Sequence, residues 1–461
     1  MLRVPARASL WYVGSMAISR AIGAIGTPIF TRLLTPAEYG LYPLYNTWLG
    51  VISVFVTLEI TGASMYRALQ RHKDDTERFV GAALGLILAL FAFFSLIYEL
   101  FGAFFNRFTG LSSTITRLML LQILASAVIA LYTARARFEY RYKTVAAINI
   151  LTSVSVPAMA IYLISAVGIR AESRILGSSV TLALVALPMA IAIFKSARSL
   201  FSMEAWRYLL LHSLPLLPHY FSMALILKVG EITVSRLYGA ESLGKFSVAL
   251  SVGMSMTVVT GGVLSALSPW MLRRMRCGEL ERIRELLLIL VRLVSLATLA
   301  MLAVAPEITA ILASPSFRAA LPAVYPIALS VIPTFLSSAL MSGGVYFERS
   351  GISALPSIAA AALSTLLSLT LMPFLDYRYL SVFILLSYTL LAALNVLTFK
   401  KMAGEAPIKV GATALTFAIT CAYGALLFAA REVVAARVIL ALPLVLPLVK
   451  VCKAGLLRIR E

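Results

Sequence analysis

Charged residues are scarce in this sequence. Asp, Glu, Lys and Arg make up 13% of its 461 residues, whereas hydrophobic residues make up 61%, and the mean hydropathy is +0.93. So few charged side chains cannot cover the surface of a water-soluble globular protein of this size. The composition therefore excludes that class and indicates a chain that lies largely in a lipid bilayer.

Cysteine and histidine are also scarce, with three residues of each. Cys277, Cys421 and Cys452 contain no CxxC pair and lack the spacing of a disulfide framework or a metal site. The sequence has no HExxH, GxSxG or Walker motif. We therefore predict a protein that is not an enzyme and has no cofactor. An ion gradient (Na⁺ or H⁺), the membrane potential or the substrate's own gradient is expected to supply any energy.

Long apolar runs account for most of what is present. A transmembrane helix needs about 20 predominantly apolar residues, and short loops rich in Arg, Lys, Gly and Pro separate such runs here. We predict fourteen transmembrane helices, at residues 10–34, 41–66, 79–104, 115–134, 145–168, 175–195, 208–237, 243–271, 285–313, 321–347, 352–375, 379–400, 408–430 and 434–453.

The net charge of +20 is distributed unevenly between alternate loops. With the N-terminus inside, 26 of the 40 Lys and Arg residues fall in inner loops and tails, 11 on the outer side and three within helices. Because basic loops resist translocation, this bias predicts a multi-pass protein of the cytoplasmic membrane with both termini in the cytoplasm. No basic patch is continuous, so nucleic acid is not an expected partner.

One phrase occurs twice, 204 residues apart: TRLLTPAEYGLY at 31–42 and SRLYGAESLGKF at 235–246. The matching positions are Arg32/Arg236, Leu33/Leu237, Gly40/Gly244 and Tyr42/Phe246. The copies follow predicted helices 1 and 7, and an even number of helices between them indicates parallel repeats. The predicted fold is therefore an all-α polytopic membrane protein with six-helix lobes at 1–200 and 201–402. Two additional transmembrane helices and a basic cytoplasmic tail follow at 403–461.

Each copy has the features of a helix end followed by re-entry into the membrane. Thr35-Pro36 and Gly239-Ala240 are expected to break the helix, and the repeated glycine is expected to permit a tight backbone. The repeated aromatic residue is expected at the depth of the lipid headgroups. A well-formed hairpin alone would have the same features, so only the doubling at fixed spacing indicates a duplicated architecture.

Three stretches carry a family resemblance: RLLTPAEYGLY, LPLLPH running on to SRLYGAESLGKFSVA, and APEITAILASPSFRAALPAV. They resemble the polysaccharide-transport or O-antigen flippase (Wzx-like) family, whose superfamily, MOP, also contains MATE-type multidrug antiporters and the lipid II flippase. The resemblance implies two six-helix lobes around a central cavity and export of lipid-linked oligosaccharides by alternating access. The implied partners are the lipid-linked oligosaccharide, membrane lipids and a polysaccharide polymerase or other biosynthesis proteins.

Arg20 is the clearest polar residue inside a predicted helix. An ionisable group at mid-bilayer costs about 3 kcal/mol on insertion scales and usually faces a cavity. Thr27 and Thr31 lie within about 20° of Arg20 on the same helical face. A guanidinium with neighbouring hydroxyls suits a phosphate or pyrophosphate headgroup. The alternative is an ion pair with a carboxylate that serves packing.

Predicted helix 2 carries a polar stripe formed by Asn46, Gly50, Ser53, Thr57 and Ser64. Hydroxyl and amide groups can exchange hydrogen bonds with a sugar without fixing a charge. Small polar residues also hold membrane helices together, so the stripe fits both interpretations.

Predicted helix 7 contains two prolines and three titratable candidates. Pro215 and Pro218 are expected to break the helix and make it a hinge or a cavity lining, with His219 beside them. Lys228 is interpreted as a second phosphate ligand, although Glu231, three residues later, could instead neutralise it. Where relatives often carry Asp-Arg, this chain has Gly230-Glu231, so any role of that pair is expected at Lys228 with Glu231.

Glu59 and Glu231 are candidates for ion coupling, and Glu59 could instead pair with Arg20.

The sequence thus predicts a flippase that binds the headgroup and sugars of its substrate through Arg20, Thr27, the helix 2 stripe, His219 and Lys228. One alternative is an ion-coupled multidrug antiporter, but such a protein needs an acidic, aromatic cavity, and the charges within helices here include Arg20, Lys228 and Arg292. A polytopic glycosyltransferase or ligase would be expected to carry catalytic residues in a large external loop, and the predicted external loops are short.

Overall fold

The computed structural model describes residues 3–72, 75–167, 171–197, 199–346, 350–444 and 447. In this part of the chain the regular elements are all helices. The first ten are α1 Arg3–Leu33, α2 Pro36–Thr57, α3 Ala63–Arg71, α4 Thr76–Thr109, α5 Ser113–Phe138, α6 Tyr142–Val167, α7 Ala171–Ser196, α8 Met203–Ser213, α9 Leu217–Gly253 and α10 Thr257–Arg276. The others are α11 Leu280–Ala303, α12 Ala305–Leu312, α13 Leu321–Tyr346, α14 Ser350–Thr370, α15 Leu380–Ala403, α16 Val410–Ala429 and α17 Val434–Leu444.

The chain divides into two compact units, Met1–Ala224 and Leu225–Glu461. The boundary falls within α9, which therefore contributes residues to both units. The lobe limits that the sequence suggested, at residues 200 and 402, remain predictions.

Apolar helices long enough to cross a membrane recur along the chain. Ten such segments occur among the described residues, and α17 is a shorter apolar helix. The predicted class, an all-α polytopic membrane protein, is confirmed. One of the ten, Met203–Leu264, spans parts of two predicted transmembrane helices. Helix α2 is not among the ten because its tyrosines, Asn46 and hydroxyl residues lower its hydropathy.

The prediction that helix 2 continues to residue 66 is wrong beyond Thr57. There α2 ends, because Leu58 and Glu59 adopt left-handed backbone angles, with φ of 46° and 50°, and such residues do not continue a right-handed helix. The Thr57 hydroxyl oxygen accepts a hydrogen bond from the Glu59 N–H. Ser64, assigned to the stripe from the sequence, lies instead in α3, where its hydroxyl is 2.7 Å from that of Ser213 in α8.

The first copy of the repeated phrase forms a helix end and a capped restart. Helix α1 ends at Leu33, and Thr35 caps α2 through a reciprocal capping box with Glu38. Pro36 occupies the first turn of α2, where its missing N–H costs no helical hydrogen bond. The predicted break at Thr35-Pro36 is therefore confirmed.

The second copy turns at a glycine instead. Gly239 has φ 78° and ψ 173° inside α9, a conformation that is essentially restricted to glycine. The repeated glycines, Gly40 and Gly244, lie in helices, are buried and do not have positive φ, so neither forms the turn itself. That they permit a tight backbone remains a prediction. Phe246 is fully buried within the protein, and its predicted place at headgroup depth remains a prediction. The apolar core of the second unit takes this ring because it carries no polar edge that needs water.

Three helices of the first unit share a buried polar contact. The Tyr45 hydroxyl of α2 donates to Oε1 of Gln122 in α5 at 2.9 Å and lies 3.2 Å from the Ser179 hydroxyl of α7. Ser179 also donates to the same Gln122 oxygen at 3.1 Å. A buried network whose hydrogen bonds are made fixes the register of the helices that share it. This network therefore fixes the position of α2 along α7.

Helices α6 and α7 approach each other closely. Gly177 of α7 packs against Ala160 of α6, and a Cβ built on Gly177 would lie 2.7 Å from the Ala160 Cα and 2.8 Å from its N. Ser173, one turn earlier on α7, is also buried. Small residues four apart let the backbones of membrane helices meet. This seam sets the position of the first turns of α7.

In the second unit, an ion pair joins α17 to α12. Arg437 of α17, 4% exposed, donates to both carboxylate oxygens of Glu307 at 2.6 and 2.5 Å and to the Ala303 carbonyl at 2.7 Å. The Arg437 guanidinium holds the pKa of the Glu307 carboxyl below its usual value. Helix α12 lies outside the ten membrane segments. The pair therefore anchors the last described helix to the rest of its unit.

Candidate functional site

Part of the predicted polar face of helix 1 falls within the residues that the structure describes. Arg20 lies in α1, and its side chain is outside the described residues. Thr27 is half-buried and its hydroxyl approaches the Gly23 carbonyl at 3.5 Å. Thr31 is buried and donates to the Pro28 carbonyl at 3.3 Å. Both hydroxyls thus bond within their own helix, as hydroxyl side chains commonly do in membrane helices.

The predicted stripe on α2 behaves in the same way. Asn46 donates to the Tyr42 carbonyl at 3.0 Å, Ser53 to the Gly50 carbonyl at 3.2 Å and Thr57 to the Ser53 carbonyl at 2.8 Å. Both hydroxyl hydrogens and one of the two Asn46 amide N–H groups are thus bonded within α2, whereas the oxygen atoms retain acceptor capacity. Asn46 and Ser53 are half-buried and Thr57 is buried. Ser53 and Thr57 can therefore donate to a ligand only by exchanging the bonds they make, whereas all three side chains can accept.

At the predicted break beside His219 the chain changes helix type, but its backbone stays in the right-handed helical region. Helix α8 ends at Ser213, a single 3₁₀ turn spans Leu214–Leu216, and α9 starts at Leu217. His219 is half-buried in the first turn of α9, with its ring 5.6 Å from that of Tyr220. A change of helix type at two prolines is a common place for a hinge.

Lys228 and Glu231 form an ion pair in α9. The Lys228 Nζ lies 2.8 Å from a Glu231 carboxylate oxygen, and Glu231 is only 4% exposed. This is the neutralising arrangement that the sequence left open. It places a basic and an acidic group together in the second unit, and any anion that binds Lys228 must compete with Glu231.

Glu59 is half-buried in the turn after α2. The sequence allowed an ion pair between Glu59 and Arg20, but the Arg20 side chain lies outside the described residues. Within the described ranges, no three His, Cys, Asp or Glu side chains are grouped so that they could hold a metal ion.

The structure contains a polar cavity that sequence reasoning missed. It has a volume of about 310 Å³ in the first unit and is lined by residues of α1, α2, α6 and α7. Arg174, in the first turn of α7, is the one lining residue of the described set with a charged side chain. Five lining residues carry hydroxyls on aliphatic side chains, namely Ser19, Thr27, Thr152, Ser153 and Ser178.

Aromatic rings surround the Arg174 guanidinium. Its Cζ lies 4.0 Å from the ring centre of Phe30, 4.9 Å from that of Tyr39 and 3.8 Å from that of Tyr42. Each such contact contributes about 0.5–2 kcal/mol. Arg174 lies one residue before the predicted helix at 175–195 and was not among the candidate residues. The available signal was the pair of tyrosines in the first copy of the repeated phrase, Tyr39 and Tyr42, because they lie at the same end of the predicted helices as Arg174.

These helices match a known sequence family. Residues 6–275, more than half of the chain, match the model of the polysaccharide biosynthesis protein family. The chain belongs to this family. The family resemblance noted in the sequence is therefore confirmed. No curated protein sequence is significantly similar to the chain.

Solved transporter structures share the fold of this family member. A MOP superfamily transporter from Pyrococcus furiosus Vc1 (DSM3638), described as having a binding pocket of reverse polarity that suggests a different function, is 15% identical to this chain. It matches with a TM-score of 0.60 over 86% of this chain and 95% of its own. Outward-facing and inward-facing structures of a multidrug resistance MATE family transporter are 14% and 15% identical. Their TM-scores are 0.63 and 0.64, over 87% and 84% of this chain and 96% and 95% of theirs.

At these identities the likeness establishes the fold alone. This member of the polysaccharide biosynthesis protein family is thus a multi-pass membrane protein with the fold of MOP superfamily transporters. In its first unit the described polar groups of α1, α2 and α7 include hydroxyls, an amide and a guanidinium, which are groups suited to phosphate and sugar.

Proposed function

We propose that this protein is a flippase that moves a polyprenyl-phosphate or pyrophosphate-linked oligosaccharide across the cytoplasmic membrane by alternating access. The observation that carries the proposal is the combination, in one chain, of the polysaccharide biosynthesis family and the MOP transporter fold. A saccharide intermediate handled by such a membrane protein needs an apolar carrier, and a polyprenyl chain provides one. The protein itself does no covalent chemistry in this proposal.

The residues that bind the substrate are proposed from their chemistry. Arg20 and Thr27 bind the phosphate, because a guanidinium binds phosphate oxygens in a bidentate manner. Asn46, Ser53 and Thr57 exchange their helical hydrogen bonds for bonds to sugar hydroxyls, and His219 adds a further polar contact. In the second unit, Lys228 binds phosphate when its pair with Glu231 opens.

The orientation and energetics follow the charge distribution. Both termini lie in the cytoplasm, where basic loops are retained. Glu59 or Glu231 couples export to Na⁺ or H⁺, and a polysaccharide polymerase or another biosynthesis protein receives the exported product.

The similarity to multidrug MATE structures favours one second candidate, the export of amphipathic cations. The described charges argue against it, because Glu231 is already paired with Lys228 and the first-unit cavity carries Arg174. The reverse polarity described for the binding pocket of the Pyrococcus transporter supports the view that this fold accommodates other cargo.

Replacement of Arg20 by Ala is expected to weaken binding of a polyprenyl-pyrophosphate disaccharide at least tenfold, about 1.4 kcal/mol. The full-length protein in detergent is titrated with this probe, and binding is followed by intrinsic fluorescence. Arg20→Lys is expected to lose less affinity, because it keeps the charge but not the bidentate geometry.

Arg292→Ala is the matched control, since Arg292 is an exposed arginine of α11. It should bind the probe with wild-type affinity. Unchanged affinity in a folded Arg20→Ala protein would remove Arg20 from the binding site, and tighter binding of a cationic dye than of the disaccharide would favour the multidrug candidate.

A further inference from the structure

We propose that the cavity around Arg174 is an oxyanion site that takes the phosphate ester of a lipid headgroup. The site lies within the first unit and uses residues other than those assigned to substrate binding above, apart from Thr27. Where the bound lipid is the transported substrate, the inference rests on the proposed function and adds a binding site to it. Binding of phosphate at this site does not itself depend on transport.

The first step is the fixed position of the guanidinium. The α6–α7 seam at Gly177 and Ala160 holds the start of α7, and Arg174 lies one turn before Gly177. Phe30 of α1 and Tyr42 of α2 then contact its guanidinium within 4.0 Å. A side chain held by packing and by two neighbouring helices loses little further freedom when it binds a ligand.

The second step is the hydrogen bond that the guanidinium does not make. Its Nη1 is buried and has no hydrogen-bond partner among the described residues. Aromatic faces stabilise the positive charge, but they do not accept the N–H groups as an oxygen does. Buried donors are nearly always paired in folded proteins, so this N–H group is available to an acceptor that the described residues do not supply, such as a ligand oxygen.

The third step is the sign of the charge. The described lining of the cavity contains Arg174 but no carboxylate. The described lining therefore does not neutralise the positive charge, which favours an anion over a cation or a neutral sugar.

The hydroxyls supply the remaining contacts. Ser153 donates to the Asn149 carbonyl at 2.6 Å, Thr152 to the Ile148 carbonyl at 2.9 Å and Ser178 to the Arg174 carbonyl at 3.0 Å. Hydroxyl hydrogens can rotate from such carbonyls to a stronger, charged acceptor. A volume of about 310 Å³ holds a phosphate or pyrophosphate group but not an oligosaccharide. The site thus recognises the charged linkage rather than the sugars.

The test is a thermal-shift titration of the full-length protein in dodecyl maltoside, which contains no phosphate. Geranylgeranyl phosphate is expected to raise the unfolding midpoint of the wild type, and the matched alcohol geranylgeraniol is not. Arg174→Gln should raise the dissociation constant at least tenfold. Glu172→Gln, an exposed change in the same turn of α7, should leave it unchanged. The titration is repeated in an Arg20→Ala background, so that the two arginines are separated.

Two further arms identify the source of the phosphate. Stabilisation by phosphatidylglycerol through Arg174 would assign the site to membrane phospholipid, and stabilisation by geranylgeranyl phosphate alone would assign it to the polyprenyl substrate. Inorganic phosphate tests whether the headgroup is sufficient. If Arg174→Gln does not fold, Ser153→Met serves instead, because it fills the cavity and leaves Arg174 in place.

Equal midpoint shifts in the wild type and in the cavity variants would overturn the proposal. Failure of the flippase proposal looks different. In that case phosphate binding through Arg174 persists, but reconstituted protein moves no lipid-linked saccharide.

Discussion

Replacement of Gly177 by Ala is expected to lower the free energy of unfolding by about 3 kcal/mol, at the upper end of the usual cost of overpacking. The added Cβ would lie 2.7 Å from the Ala160 Cα and 2.8 Å from its N. Because these are backbone atoms, α6 and α7 must separate to admit the methyl group. The loss is measured by reversible unfolding in mixed micelles, with the unfolding midpoint as a second readout.

Two further variants show that the effect is steric. Ala160→Gly is not expected to rescue Gly177→Ala, because the closest atoms belong to the backbone and remain after the trim. Gly102→Ala in α4 is the control, since its Cβ would meet only the Tyr98 ring at an ordinary 3.7 Å. The control should be neutral or slightly stabilising because alanine favours helix. A Gly177→Ala protein as stable as the control would refute the close α6–α7 seam.

Replacement of Glu307 by Ala is expected to cost about 2–3 kcal/mol, below the usual 3–5 for a buried pair because the Glu307 side chain is half-exposed. The change leaves Arg437 buried without its carboxylate partner, and among the described residues its remaining hydrogen bond is to the Ala303 carbonyl. Addition of Arg437→Met should recover most of the loss, because it removes the buried charge.

Asp376→Asn is the matched control. Asp376 pairs with Arg378, but both side chains are about 40% exposed, so the loss should stay below about 1 kcal/mol. If the Glu307→Ala loss persists after addition of Arg437→Met, the ion pair is not its cause.

The pH dependence of the Glu307 effect follows from the lowered pKa. Arg437 lowers the pKa of Glu307 in the folded protein, whereas the unfolded value is about 4.3. The stabilisation is therefore fully present above about pH 4.3 and is lost as the pH falls through the folded pKa. The stability difference between the wild type and Glu307→Ala should be constant from about pH 5 to 8 and shrink in stronger acid.

Features that depend on local chemistry were predictable from the sequence. The irregular turn at the prolines before His219 and the restart at Thr35-Pro36 are both present, because a missing N–H and a capping side chain act within a few residues. The all-α membrane class was also predictable, because it follows from the composition and from the length of the apolar runs.

Features that depend on tertiary contacts were not predictable. Nothing in the residue types indicated that Leu58 and Glu59 would take left-handed angles and end α2. Arg174 was missed because the rings that contact it come from α1 and α2, more than a hundred residues earlier in the chain. Among the predicted site residues, Lys228 and Glu231 form the neutralising ion pair that the sequence allowed as one of two interpretations. The functional roles of the site residues remain predictions.

The most direct test of the proposed function is headgroup translocation in proteoliposomes. A fluorescently tagged polyprenyl-pyrophosphate oligosaccharide is placed in the vesicles, and an external quencher reports how much becomes accessible with time. We predict faster exposure with the wild type than in protein-free vesicles, and slower exposure with Arg20→Ala than with the wild type. Exposure equal to that of protein-free vesicles, across several lipid carriers and under imposed Na⁺, H⁺ and voltage gradients, would contradict the flippase proposal.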